Sequence, residues 1–192
     1  MKELLAAERI SLKPAAPSDK KKIFDWLTNS NLTAKMLGMP NFPDNPVPSW
    51  EEFDSDYLGY YFDGTQPLSG QCFIIIHNGQ EIGQINYNAI DARDRSTELD
   101  IWLADKQFTG LGLGTEAIKA LCSYLGKNFG CRKIYMQPSR RNINAVKAYK
   151  KAGFTEHSDR PRGFVPDYCD SILMVKTIDC LDTKAPSKPE KD

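Results

Sequence analysis

Between residues 71 and 104 the chain falls into short-period patterns. QCFIIIH (71–77), EIGQINYN (81–88) and TELDIWLA (97–104) are three runs of strand character. Asn78-Gly79 lies between the first two and predicts a tight hairpin, because both central positions of such a turn need positive φ. In the third run Leu99, Ile101 and Leu103 face one way, while Glu98, Asp100 and Trp102 face the other. Earlier, ERISLK (8–13) alternates and reads as a first strand. Ser18 then precedes a stretch in which Ile23, Phe24, Trp26 and Leu27 share one helical face, so Ser18 is the expected N-cap. Residues 31–37 predict a short helix, which the proline-rich segment 36–48 cannot continue. Ser49 and Glu52 form a capping-box signature ahead of a helix through about Tyr61, weakened at its end by Gly59.

The second half changes period again. TEAIKALCSYLGKNF (115–129) carries a helical stripe at Ile118, Leu121, Cys122 and Leu125. CRKIYMQP (131–138) reads as a strand and NINAVKAYKKAG (142–153) as a helix closed by Gly153. FTEH and CDSILMVKT read as two final strands. This order predicts an α/β (α+β) fold, a mixed twisted sheet flanked by helices, in one domain over residues 1–180. The polar, proline-containing residues 181–192 are an expected disordered tail. No internal repeat is visible.

The chain has 192 residues, 25 basic and 25 acidic, so net charge suggests neither nucleic acid nor membrane as a partner. The balance hides an asymmetry. Residues 36–105 hold twelve Asp or Glu against two Lys or Arg, and residues 106–192 hold sixteen Lys or Arg against nine acids. Opposite fields over two halves of a cleft would suit a polyanion in one place and a cation in another; chance spread over solvated faces is the alternative. Five cysteines with no CxxC pair argue for a reduced interior, and two histidines leave little material for a metal site. With no signal-peptide pattern and no run of 18 uncharged apolar residues, the expected location is the cytoplasm, as a monomer or homodimer.

QFTGLGLGT (107–115) places Gly110, Gly112 and Gly114 between a strand and a helix. Such a turn aims several backbone N–H groups at one point, and the helix start adds partial positive charge, which together suit phosphate oxygens. Glycines that merely permit close strand–helix packing are the competing reading. The dinucleotide fingerprint would need glycine where Thr115 stands, and a P-loop would need Gly-Lys-Ser/Thr. Downstream, Asn142, Ala145, Tyr149, Gly153 and Phe154 form NxxAxxxYxxxGF.

With Gln107, Gly110 and Gly112 as Q/RxxGxG and this second motif following in order, residues 8–177 resemble the GNAT superfamily of acyl-CoA-dependent N-acetyltransferases. WLTNSNLTAKMLG, the spacing from Asp100 to Gly110, GLGT and NINAVKAYKKAGF resemble its aminoglycoside 6'-N-acetyltransferase branch. Gln137 stands where that branch often carries an aspartate, a departure that removes one expected drug-binding carboxylate. The resemblance implies splayed central strands and acetyl-CoA as cofactor, with CoA as product and no metal. It implies acetyl transfer to a primary amine of a small cationic acceptor, an aminoglycoside and hence antibiotic resistance among the options. A protein N-terminal or lysine acetyltransferase, or a non-catalytic CoA-binding module, are the alternatives.

On this resemblance the backbone of Thr109, Gly110, Leu111, Gly112, Leu113, Gly114 and Thr115 would hold CoA, with Gln107, Leu103, Asn142 and Tyr149 contributing. Asn142 is equally an N-cap. Tyr149 is the expected general acid, since a phenol with pKa near ~10 stays protonated at neutral pH; packing toward Phe154 is its other reading. Asp100 is the expected base, with Glu98 second. Trp102, Trp50 and Asp167 are expected at the acceptor, and the acidic segment 44–63 is either a cation-attracting rim or a solvated helix face.

Overall fold

Strand β3 (Gln71–His77) is apolar almost throughout because both of its faces are covered. Phe73 and Ile75 enter one buried cluster, Cys72 and Ile74 another. In this computed structural model, which describes residues 5–37, 47–161, 165–166 and 169–178, the sheet between those clusters has eight strands. They are β1 (Leu5–Ala6), β2 (Ile10–Pro14), β3, β4 (Gln80–Tyr87), β5 (Ser96–Leu103), β6 (Lys133–Met136), β7 (Thr155–His157) and β8 (Leu173–Thr177). Their order is β1-β2-β3-β4-β5-β6-β8-β7, and only the β5–β6 pair is parallel.

Helices α1 (Lys20–Thr28), α2 (Thr33–Met36), α3 (Trp50–Asp56) and α4 (Tyr60–Asp63) are the chain before β3. Phe24, Phe53 and Phe62 from three of them pack on the Cys72 face together with Trp102. Helix α5 (Leu113–Phe129) covers the opposite face through Leu113, Ile118, Leu121 and Leu125, which meet Phe73, Ile85 and Leu99. Helix α6 (Ile143–Lys151) follows β6 and ends where Gly153 turns to φ 96°. The mixed sheet flanked by helices is the fold expected from the element order.

Local signals hold where local chemistry decides. Asn78 and Gly79 take φ values of 49° and 76° in the β3–β4 turn. Ser49 accepts from the Glu52 N–H at 3.2 Å while Glu52 accepts from the Ser49 N–H at 2.7 Å, closing the capping box. Ser18 is not a cap. It lies inside a 3-10 turn, Pro17–Asp19, and the Asp19 carboxylate accepts from the Ala16 N–H at 2.9 Å. The helix expected through Tyr61 stops at Asp56. Tyr57, at ψ 79°, leaves the helix so that its ring can stack on Phe53 at 4.6 Å and meet Trp102 edge-on at 6.0 Å. The expected tail, 181–192, lies outside the described residues.

Gly83 sets how closely β4 approaches β5, beside a register shift between Ile75 and Ile76 on β3. A Cβ there would collide with the Trp102 carbonyl oxygen and with Leu103 Cα, both backbone atoms that cannot swing away. Gly83→Ala is therefore expected to cost about 1–3 kcal/mol in urea unfolding. Gly59→Ala, where a Cβ meets nothing within 4 Å, is expected to stay within about 0.5 kcal/mol of the parent protein.

Candidate active site

After β5 the chain makes a 3-10 turn, Lys106–Phe108, then the glycine loop, then α5. The Asp105 carboxylate caps the turn by accepting from the Gln107 N–H at 2.8 Å. Gly110 and Gly112 take φ values of 76° and 84°, a left-handed conformation that a side chain would oppose. The backbone N–H groups of residues 110–115 have no acceptor among the described residues, and the first helical bond runs from Glu116 to the Gly112 carbonyl. Arg9 steadies this arrangement, donating to the Leu111 carbonyl at 3.0 Å and pairing with Glu116 at 3.0 Å. A Cβ at Gly110 would meet no protein atom within 4 Å, and one at Gly114 only Ile101 Cδ1 at 3.7 Å. Packing does not demand glycine at those two positions. They leave open space over a row of unpaired donors, the arrangement of an anion site.

Beside the loop the sheet splits. β5 and β6 pair over Ser96–Glu98 and Lys133–Tyr135 and then diverge. The gap is a cleft in two adjoining parts. One, of about 340 Å³, lies over the glycine loop and is lined by Leu103, Thr109, Gly110, Gly112, Gly114 and Thr115, with Lys35, Lys147 and Lys151 at its sides. The other, of about 380 Å³, is lined by Asp56, Tyr57, Asp100, Met136 and Gln137. Ile101, Trp102, Asn142 and Tyr149 border both parts, as does Lys35.

Asp100 stands on the strand face that carries Trp102. Its Oδ2 accepts from the Asn86 and Asn88 side-chain amides, each at 3.2 Å, and Oδ1 has no protein partner among the described residues. Burial pushes the carboxyl above the usual carboxylate range, and the two amide donors oppose that shift. Glu98 is committed elsewhere: it accepts from Gln137 Nε2 at 2.9 Å and does not line the cleft. Asn142 caps α6, accepting from the Ala145 N–H at 3.2 Å, while its amide donates to the Lys35 carbonyl at 3.4 Å. Tyr149 packs toward Phe154 with the rings tilted by 51° and their centroids 6.4 Å apart. Trp102 is 8% exposed, and its indole N–H has no acceptor among the described residues.

Two further expected site residues lie apart from this cluster, and a third is outside the described residues. Gln107 is exposed outside the cleft. Trp50 packs against Phe24 and Phe53 and lines neither part. Asp167 lies outside the described residues. Leu111 is exposed on the loop, and Leu113 is buried beneath it. Of the acidic segment, Asp54 turns outward to pair with Lys20, and Asp56 alone among its described carboxylates lines the cleft.

Residues 9–155 match the family described as an acetyltransferase (GNAT) domain. The chain belongs to the GNAT family of acetyl-CoA-dependent N-acetyltransferases. A probable spermine N(1)-acetyltransferase of Bacillus subtilis subsp. natto (strain BEST195) is 29% identical over 109 residues, 54% of this chain and 68% of that protein. An aminoglycoside N(6')-acetyltransferase type 1 of Klebsiella pneumoniae is 26% identical over 159 residues, covering 77% and 74% of the two chains. The solved structure of AAC(6')-Ib in complex with paromomycin and acetyl-CoA superimposes with a TM-score of 0.69 at 21% identity, over 94% of this chain and 100% of that one. That likeness shows a common fold.

Within this GNAT domain, two groups were not picked out from sequence, one lining the cleft and one behind Asp100. Lys147 and Lys151 are one helical turn apart on α6 and form no ion pair among the described residues; the i, i+4 spacing was their signal. Gln84 and Asn86 alternate with the apolar Ile85 and Tyr87 on β4, Asn88 follows at the same spacing just past the strand, and the first two are fully buried. Asn142→Ala removes the α6 cap and is expected to cost about 1 kcal/mol in chemical denaturation, with Asn142→Asp restoring most of it.

Proposed function

We propose that this acetyltransferase moves the acetyl group of acetyl-CoA to a primary amine of a small cationic acceptor, with a hydroxylated amine of the aminoglycoside type preferred. The carrying observation is the set of unpaired N–H groups at residues 110–115, opening into a cleft that ends at Asp100. The diphosphate of acetyl-CoA is assigned to those N–H groups, with Lys147, Lys151 and Lys35 supplying positive charge. Its pantetheine arm follows the unpaired edge of β5 near Leu103, as an added strand would. Asn142 serves there as well as capping α6. The non-polar neighbours Ile101 and Trp102 keep water from the thioester.

The bound thioester supplies an activated acetyl group. Asp100 Oδ1 takes the proton that the amine loses as its nitrogen bonds to the carbonyl carbon, and Tyr149 gives its phenolic proton to the departing sulfur. Asp100 is preferred over Glu98 because it faces the cleft while Glu98 is held by Gln137. Its raised pKa brings the carboxylate closer to the basicity a proton acceptor needs.

Two features support the choice of acceptor. Asp56 and Asp100, with Tyr57, suit a cationic group. The buried indole N–H of Trp102 calls for an oxygen acceptor, which hydroxyls and ring oxygens provide and a protonated polyamine does not. The spermine acetyltransferase relative keeps polyamines as the second reading.

Release of CoA thiol from acetyl-CoA, followed across kanamycin, spermine and short peptides, tests this directly. Kanamycin is expected to give the highest kcat/KM; preference for spermine or peptide moves the acceptor, and no release with any amine leaves a silent CoA-binding module. Tyr149→Phe and Asp100→Asn are each expected to lower kcat by about 10²-fold or more, while the Kd for CoA by calorimetry holds within about twofold. In the parent enzyme kcat/KM should climb with pH through the raised Asp100 pKa, since the carboxyl must lose its proton before it can accept one.

A further inference from the structure

A line of buried amides runs beneath the cleft. Cys72 Sγ donates to Gln84 Oε1 at 2.8 Å, Gln84 Nε2 donates to Asn86 Oδ1 at 3.1 Å, and Asn86 Nδ2 donates both to Asn88 Oδ1 at 3.0 Å and to Asp100 Oδ2 at 3.2 Å. Asn88 Nδ2 adds the second bond to Asp100 Oδ2, and the Tyr61 hydroxyl donates to Asn88 Oδ1 at 3.1 Å. Gln84 and Asn86 have no solvent exposure, so their polar atoms depend wholly on these partners.

The chain of donors has one direction. An ionised carboxylate only accepts, so it fixes the amide nitrogens of Asn86 and Asn88 toward itself. Asn86 must then offer its oxygen to Gln84, and Gln84 its oxygen to the Cys72 thiol. A fully apolar strand would have packed this face as well, at no cost in buried polar groups. We infer that Gln84, Asn86 and Asn88 are positioning residues. They hold Asp100 through Oδ2, leave Oδ1 as its one proton-accepting atom, and stabilise the ionised carboxylate against its burial.

This inference rests on Asp100 being the base. The other ionisable groups that bond to this line of amides or border the cleft beside Asp100 are Cys72 on β3, Tyr61 on α4, Asp56 on α3, Tyr57 just after it, Lys35 on α2 and Tyr149 on α6, while Glu98 on β5 is held by Gln137. Burial pushes the Cys72 thiol and the Tyr61 phenol up, so both remain protonated donors across the physiological range.

The decisive measurement is a carbon-13 carboxyl NMR titration of the full chain, with Asp100→Asn assigning the Asp100 resonance. Asn86→Leu is expected to raise the Asp100 pKa by roughly one unit, because one of two donors to the ionised form is lost. Gln84→Met is expected to raise it less, in the same direction. Asn88→Ala, at a less buried position, carries the same test should Asn86→Leu fail to fold, and Asn88→Ser should return part of the shift. An Asp100 pKa that none of these variants moves would overturn the inference, even if activity fell. The acid limb of kcat/KM for thiol release from acetyl-CoA with kanamycin, or with spermine if that is the better acceptor, is expected to move with the NMR value. A pKa that moves while the limb stays in place would retain the positioning ladder and remove Asp100 from the role of base.

Discussion

A strand in the middle of a sheet has to satisfy hydrogen-bonding groups on both edges, and β5 does so on one edge only beyond Glu98. Toward β4 its pairing continues through Leu103; toward β6 it stops after three residues. The remainder is an edge strand enclosed within the protein. Everything else in the site is arranged around that opening. The glycine loop begins where β5 ends, so its free N–H groups stand at one mouth of the gap. Helix α6 contributes Asn142 and Tyr149 along one wall, and Trp102 and Asp100 come from β5 itself. An extended ligand with amides of its own can complete the strand and offer an anion to the loop in the same pose, which is why a coenzyme joining a pantetheine arm to a diphosphate fits this gap better than a compact anion does.

The parts of this arrangement that could be read from sequence are those settled within a few residues. The Asn78-Gly79 turn, the Ser49–Glu52 capping box and the glycine loop each depend on backbone requirements that neighbouring residues state. Strand alternation puts Asp100 on one face with Glu98 and Trp102, and the preference for Asp100 over Glu98 comes from the family resemblance. The unreadable parts depend on what covers a face. The acids of α3 form a plausible rim in one dimension, but the helix buries Phe53 inward and turns Asp54 out to Lys20. Ser18 has the chemistry of a cap; the proline before it starts a 3-10 turn that uses Asp19 instead. Tyr57 leaves a helix whose local signals continue, and its ring stacks on Phe53 and meets Trp102 edge-on, contacts that no neighbouring residue announces.

Electrostatics divide the cleft along its length. Lys147 and Lys151 border only the part over the loop, the carboxylates of Asp56 and Asp100 border only the other, and Lys35 borders both. The sequence asymmetry between an acidic middle and a basic remainder therefore has a local counterpart, although most of the charge responsible for it lies elsewhere on the surface. Glu81, for example, is occupied with Lys13 and Lys22, which hold its carboxyl below the usual range.

The proposed acid and base are kept apart by the fold. Tyr149 arrives on a helix after β6, whereas Asp100 sits on β5, across the split that the ligand would fill. A shared hydrogen bond between the two would let the phenol proton satisfy the carboxylate before an acceptor arrived. Instead the carboxylate is satisfied from behind by Asn86 and Asn88, groups that can donate but cannot be titrated away at physiological pH. That division explains a costly feature, two completely buried amides in the centre of a sheet. Apolar residues there would make a simpler core, but burial would then act on Asp100 unopposed and favour the protonated acid, which has no capacity left to receive the proton of an amine.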